Sequence, residues 1–194
     1  MFIHTIAEQK EELRKTIRDR IRGLDPDMVR LSDEAICKQL IENLAEYKEA
    51  NTIFCFVGTH MEIDTSLIIR HALKAGKTVA VPLCISMGIM EARRITGLDE
   101  LKPGSYGILE PEDSCELTDS KDIDFAIIPC ISCDRNCERL GQGGGFYDRF
   151  LKGRSFAAAV LCRECLMLEK APKEPWDLAV DLVVTENRIY RKKT

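Results

Sequence analysis

The sequence predicts an α/β protein whose mainly parallel sheet is covered by helices on both faces. Three observations lead there. Short apolar runs alternate with stretches of helical periodicity. Runs such as Phe125-Ala-Ile-Ile-Pro129 and Phe156-Ala-Ala-Ala-Val-Leu161 are apolar throughout, as strands buried on both faces are. Between those two runs lies a glycine-rich segment, Arg139-Leu-Gly-Gln-Gly-Gly-Gly-Phe-Tyr-Asp-Arg149, and ligands in parallel sheets sit beyond the carboxyl ends of strands.

Taken in order, Ile6 to Leu24 reads as a helix, with Leu13, Ile17 and Ile21 at four-residue spacing. Asp25-Pro26 breaks it. A second helix continues to about Tyr47, with Ile36, Leu40 and Leu44 on one face. Thr52 to Val57 reads as a buried strand. Asp64 then caps a helix carrying Leu67, Ile68, His71 and Ala72, and Gly76 stops it. Thr78 to Pro82 is the next strand and Met87 to Arg93 a further candidate. Gly97 to Ser120, rich in glycine, proline and acids, reads as irregular. Asp124–Pro129 is a strand, Gly144–Lys152 a short helix, Ser155–Leu161 a strand and Asp181–Thr185 a late strand that Arg188–Tyr190 extends. There are no repeats, and 194 residues suit one domain spanning 1–194.

A net charge of −4 supplies no general attraction to nucleic acid or an anionic membrane. No apolar stretch is long enough to span a bilayer, and the first ten residues lack the pattern of a signal peptide. Nine cysteines without an export signal read as reduced thiols in the cytoplasm.

The glycine-rich segment is neither a Walker A loop, which ends in Gly-Lys-Ser/Thr, nor a dinucleotide fingerprint, because Phe146 occupies the third glycine position. A flexible linker rarely carries adjacent aromatics such as Phe146 and Tyr147. A phosphate-binding loop opening a helix is the better reading: glycines let the backbone approach an anion, and the first helical amides point at it.

Other constellations are open on the residues alone. Lys10, Arg14, Arg18 and Arg22 form a stripe on the first helix, either a solvated face or a polyphosphate contact. His60, Glu62 and Asp64 alternate after a strand end, as site residues or as a polar loop and cap. Asp148 and Asp181 are candidate Mg²⁺ ligands. Cys130-x-x-Cys133 and Cys162-x-x-Cys165 each follow a strand, leaving a metal or redox pair open beside ordinary core thiols.

Several segments now stand in a recognisable order. Lys10-x-x-Leu13-Arg14, Glu62-Ile-Asp-Thr65, Gly76-Lys77 before Val79-Ala-Val-Pro82, Gly104-x-x-Gly107-Ile-x-Glu110-Pro111, the glycine-rich loop and Asp181-Leu-Val-Val-Thr-Glu186 span nearly the whole chain. Together they resemble the 5-formyltetrahydrofolate cyclo-ligase (5,10-methenyltetrahydrofolate synthetase) family. The resemblance implies a three-layer Rossmann-like fold and an ATP- and Mg²⁺-dependent ring closure of a reduced folate; a monomer is the expected state, which the sequence itself does not reveal. It implies that Lys10, Arg14, Arg139, Leu140, Gly141, Gln142, Gly143, Gly144, Gly145, Phe146 and Tyr147 hold ATP. Val57, Glu62 and Gln142 to Phe146 would border the folate, Tyr147 would orient the formyl region as the catalytic residue, and Asp148 and Asp181 would hold Mg²⁺. Arg18 and Arg22 stay solvated in this reading, and Tyr147→Ala removes turnover while sparing the fold. Departures are Cys133 where the family often has Phe, Leu166 where it often has Gln, Trp176 where it often has His, and Phe146 for the first loop Tyr. They fall more on the expected folate side than on the nucleotide side. Two readings from other classes remain: a non-catalytic nucleotide- or folate-binding paralogue, and a metal- or redox-responsive protein using the CxxC pairs.

Overall fold

The computed structural model describes residues 5–193; Met1 to His4, part of the segment read for a leader, lie outside them. In chain order the elements are α1 (Ile6–Arg22), α2 (Pro26–Asn43), α3 (Ala45–Glu49), β1 (Thr52–Cys55), α4 (Ser66–Lys74), β2 (Thr78–Ser86) and β3 (Ile89–Ile95). Then follow β4 (Lys102–Pro103), β5 (Leu109–Glu110), β6 (Leu117–Thr118), β7 (Phe125–Ile128), β8 (Ser132–Cys133), β9 (Arg139–Leu140), α5 (Phe146–Leu151), β10 (Ala157–Leu161), β11 (Leu182–Val184) and β12 (Ile189–Arg191).

One eight-stranded sheet has the order β12-β11-β10-β7-β1-β2-β3-β6. Its five central strands, β11 to β2, are parallel, and β12, β3 and β6 are antiparallel additions at the two sides. Side chains alternate across it. Ile53, Cys55, Val79, Ile127 and Val184 face α2 and α4 in one apolar cluster; Phe54, Ala80, Ala126, Ile128 and Val183 face α1 and α5 in the other. This is the helix–sheet–helix sandwich expected. Burying both faces explains why the central strands carry no polar alternation.

The helices follow from local chemistry. α1 opens with a capping box in which the Thr5 hydroxyl accepts from Glu8 N while Thr5 N donates to the Glu8 carboxylate. Asp25 caps α2, with Pro26 in its first turn. The helix expected to reach Tyr47 breaks at Leu44, which turns extended (φ −95°, ψ 113°) and is fully buried. Arg188–Tyr190 does not extend the late strand: the chain reverses, and β12 returns antiparallel to β11. The stretch read as irregular contains the short strands β4, β5 and β6.

The order of strands switches at β1: β2 and β3 are added on one side of it, and β7, β10 and β11 on the other. Such a switch point leaves a crevice at the carboxyl ends. There the chain leaves β1 through Phe56 and Val57 into Gly58, where an added Cβ would lie 2.0 Å from the Ile63 carbonyl oxygen. Thr65, fully buried, donates its hydroxyl to Phe56 O at 2.7 Å and accepts from Gly58 N at 3.3 Å. Asp64, expected as the cap of α4, stands one residue before the N-cap Thr65 and accepts from Ser66 N at 2.9 Å. Gly58→Ala must displace that turn, and should lower stability in urea titration by about 1–3 kcal/mol. An unchanged midpoint would show that the turn accommodates a side chain.

Candidate active site

Two clefts lie beyond the carboxyl ends of the central strands, with the glycine-rich loop as their common wall. The larger, about 580 Å³, is lined by Val57, Glu62, Pro82, Pro129, Tyr106 and the loop from Gly141 to Asp148, among others. The smaller, about 390 Å³, is bounded by Lys10, Arg14, Arg139, Arg149 and Lys152, with Asp148, Asp177 and Trp176. The first is mainly apolar with a carboxylate at hand. The second carries five cations against two acids, which suits a polyanion.

The loop holds its shape through left-handed backbone and arginine clamps. Gly143 (φ +99°) and Gly145 (φ +67°) adopt conformations that disfavour a side chain, and Gly145 opens α5. Arg14 Nε donates to Gly141 O at 2.9 Å, and its guanidinium lies beneath Gly143. Arg149 donates to Gly144 O at 2.8 Å and to Gly88 O at 2.6 Å, tying the loop to the β2–β3 turn. Arg139, whose side chain is only 5% exposed, pairs with Asp148 at 2.7 Å. Lys10 pairs with Asp177.

Glu62 is fixed by its own turn at the rim of the larger cleft. Its Oε2 accepts from Thr59 N at 3.1 Å and from the Thr59 hydroxyl at 3.0 Å. Its Oε1 faces Gln142 Nε2 at 3.5 Å, and the Gln142 Oε1 accepts from Arg18 at 2.9 Å. Arg18 is therefore a wall of the larger cleft and not the solvated residue expected; Arg22 pairs with Asp19 and stays exposed. Below, Arg163 joins Asp33 and donates to Glu62 O, and Asp33 also accepts from Asp64 N at 3.0 Å. Burial raises the Asp33 carboxyl above its ordinary value, although the Asp64 amide and Arg163 draw it down.

Tyr147 sits in the wall of the larger cleft with its ring edge-on to Phe54, 6.5 Å between centroids. Burial and then the Glu62 charge raise its phenol far above the ordinary value. The phenol is therefore neutral at ordinary pH. Because the ring also packs on both apolar clusters, Tyr147→Ala would cut into the core, and the fold would not be spared as expected.

The predicted residues sort themselves between the clefts. Val57, Glu62 and Gln142 to Phe146 all line the larger one. Lys10, Arg14, Arg139, Leu140, Gly141, Gly143 and Gly145 line the smaller; Gln142, Gly144, Phe146 and Tyr147 do not. The proposed metal pair is not assembled. Asp148 faces both clefts, whereas Asp181 precedes β11 at the amino-terminal side of the sheet, accepting from Ala158 N at 2.8 Å and from Arg154. The expectation for Asp181 is corrected on that ground: a carboxylate already spent on a strand end, away from both clefts, cannot share an ion with Asp148.

Residues not singled out complete the larger cleft. Glu110, buried, accepts from Cys84 N at 3.2 Å and Ser105 N at 3.0 Å, fixing the turn on which Tyr106 projects with positive φ. Tyr106, 70% exposed, meets Phe146 edge-on at 6.1 Å over the mouth. The Gly104 to Pro111 segment was the available signal.

A profile of the 5-formyltetrahydrofolate cyclo-ligase family matches residues 6–186. The chain belongs to that family. It is 29% identical over 183 residues to the 5-formyltetrahydrofolate cyclo-ligase of Escherichia coli (strain K12), covering 90% of this chain and 98% of that one. It is 26% identical over 200 residues to a probable 5-formyltetrahydrofolate cyclo-ligase of Schizosaccharomyces pombe, covering 94% and 98%. The solved structure of Aquifex aeolicus 5,10-methenyltetrahydrofolate synthetase superposes with a TM-score of 0.84 at 28% identity, over 95% of this chain and 93% of that one. Where this chain departs from the cyclo-ligase pattern, three of the four departures miss the larger cleft: Cys133 and Leu166 are buried in the core, and Trp176 borders the smaller cleft. Only Phe146 stands in the larger one.

The Arg139–Asp148 pair supports both clefts, so Arg139→Met and Asp148→Asn should not be additive. A double-mutant cycle in urea should return a coupling of about 0.5–3 kcal/mol. Additive losses would mean that the pair does not hold the loop.

Proposed function

We propose that this chain closes the ring of 5-formyltetrahydrofolate to 5,10-methenyltetrahydrofolate, converting ATP to ADP and phosphate. The observation that carries the reading is the shared loop wall: a cationic cleft and an apolar cleft with a placed carboxylate meet across Gly141, Gly143 and Gly145. A phosphoryl donor in one can reach an oxygen held in the other. That the chain's relatives are named for this chemistry supports the same assignment.

In this mechanism the ATP phosphates take the smaller cleft. Lys10 and Arg14 exchange Asp177 and Glu11 for phosphate oxygens, and the loop amides donate to them. The reduced folate takes the larger cleft, its pterin N–H groups donating to Glu62 and its ring packing near Val57. Tyr147, neutral, hydrogen-bonds the formyl region and holds it in line. The formyl oxygen at N5 attacks the γ-phosphorus and ADP leaves, turning a poor leaving oxygen into a phosphate ester. N10 then attacks the activated carbon, and loss of phosphate gives the methenyl bridge. The protein positions the partners and offsets phosphoryl charge, the main requirements of such transfers. Mg²⁺ would neutralise phosphate charge when bound; Asp148 fits one carboxylate contact to it, phosphate oxygens and water supplying the rest.

The whole chain acts as one domain. A monomer in the cytoplasm, with no nucleic-acid or membrane partner, is the setting we assign. The net charge of −4 and nine cysteines outside any disulfide support it, and no helix among the described residues is long and apolar enough to cross a membrane.

The purified protein given 5-formyltetrahydrofolate, ATP and Mg²⁺ should accumulate methenyl product, followed by its absorbance, and none without ATP. ATP binding with no product would reject the assignment in favour of a binding paralogue. Arg14→Ala should raise KM for ATP about ten-fold or more and, because Arg14 also clamps the shared loop, KM for the folate by less; Glu62→Gln should raise KM for the folate about ten-fold and leave KM for ATP near wild type. Tyr147→Phe keeps the packing and should lower kcat with little change in melting temperature; unchanged kcat would remove the phenol from the mechanism.

A further inference from the structure

Three thiols converge beneath the root of the glycine-rich loop. β7 and β10 are parallel neighbours with Ile128 opposite Val160, so Cys130 and Cys162, two residues further along each, emerge side by side. The β8–β9 hairpin folds Cys133 back to them, with Cys133 itself opposite Arg139. The three sulfurs lie within 4.8 Å of one another, Cys133 and Cys162 buried and Cys130 half-buried. No histidine or carboxylate joins the group among the described residues. Cys165 is exposed and outside it, so the second CxxC motif contributes one thiol to the group.

An isolated core cysteine packs as a small apolar residue. Three convergent sulfurs are a donor set, and soft thiolates select Zn²⁺ and Cu(I). With Zn–S bonds near 2.3 Å, tetrahedral geometry sets sulfurs about 3.8 Å apart. The trio would therefore close by no more than about 1 Å on binding. A second observation is the charge around it. Arg139, across the hairpin from Cys133, has a side chain only 5% exposed. It keeps a buried Nε with no hydrogen-bond partner. A buried guanidinium with an unfilled donor calls for negative charge nearby.

We propose that Cys130, Cys133 and Cys162 form a trithiolate site for a single thiophilic cation, Zn²⁺ or Cu(I). Binding Zn²⁺ releases three thiol protons to solvent and leaves a centre with one net negative charge, opposite in sign to Arg139. The ion would join the ends of β7 and β10 to the hairpin that launches the loop. The site is independent of the ring closure proposed above, and its test does not read activity.

Reduced, chelator-stripped protein would be dialysed against Zn²⁺, and separately against Co²⁺ and Cu(I), and bound metal measured. Wild type should retain one equivalent, and the Co²⁺ form should show thiolate-to-metal charge-transfer absorbance. Cys130→Ser should lose that equivalent, whereas Cys165→Ser and Cys115→Ser should keep it. Retention of Cu(I) alone would support the site and name its ion. To guard against a misfolded variant, wild-type thiols would be alkylated with and without Zn²⁺ and mapped by mass spectrometry. Zn²⁺ should shield Cys130 and leave Cys115 and Cys165 reactive. Failure of wild type to retain any of the three ions, retention by a folded Cys130→Ser, or alkylation of Cys130 indifferent to Zn²⁺ would each overturn the proposal.

Discussion

Arg139 and Asp148 meet across the glycine-rich loop at 2.7 Å, and the wall between the two clefts depends on that contact. The loop cannot be held by packing, because its glycines offer no side chains to pack. It is held by cations instead: Arg139 at its root, Arg14 under its crown and Arg149 behind it. Each arginine engages a carboxylate or a backbone carbonyl, which leaves loop amides available to donate outward. An arrangement built from side-chain charge on a side-chain-free backbone can be stiff and still admit close approach by a ligand.

The same logic recurs at the other side of the larger cleft. The turn after β1 is tight because Gly58 abuts the Ile63 carbonyl, and Thr65 fastens it from inside. Beneath it the buried Arg163–Asp33 pair reaches the backbone at Glu62 and Asp64. Burying two charges is expensive, and a pair of this kind contributes little to stability beyond what an apolar pair would give. What it does is fix the backbone on which Glu62 rides. Both walls of the site thus rest on buried ions rooted in the sheet's carboxyl ends.

Much of this architecture was legible in the residues. Four-residue spacing set the inward face of α1, and unbroken apolar runs marked the strands that helices cover twice. The loop motif was readable from its clustered glycines and adjacent aromatics, whereas Glu62 stayed open on the residues alone between a site residue and a polar loop. What could not be read depended on tertiary register. Leu44 leaves the helix although nothing in its own sequence stops one. Arg18 differs from Arg22 only because one helical turn of α1 faces Gln142 and the next faces solvent. Asp181 looked like a metal ligand until its strand was placed, when its carboxylate proved to serve Arg154 and a strand end. The convergence of Cys130 with Cys162 likewise exists only through the pairing of β7 with β10.

The sheet also ends in an unusual economy of ladder. Its outermost strands are β6, two residues long, and β12, three residues long, with Arg191 of β12 engaged by Glu46. An exposed strand offers its unpaired amides and carbonyls to any neighbour, and long flat edges are where chains add to one another. Here the five parallel strands that carry the apolar load lie inside, and the rims present too few free backbone groups to template a further strand. Placing the short antiparallel strands outermost thus leaves little edge for another chain to pair with.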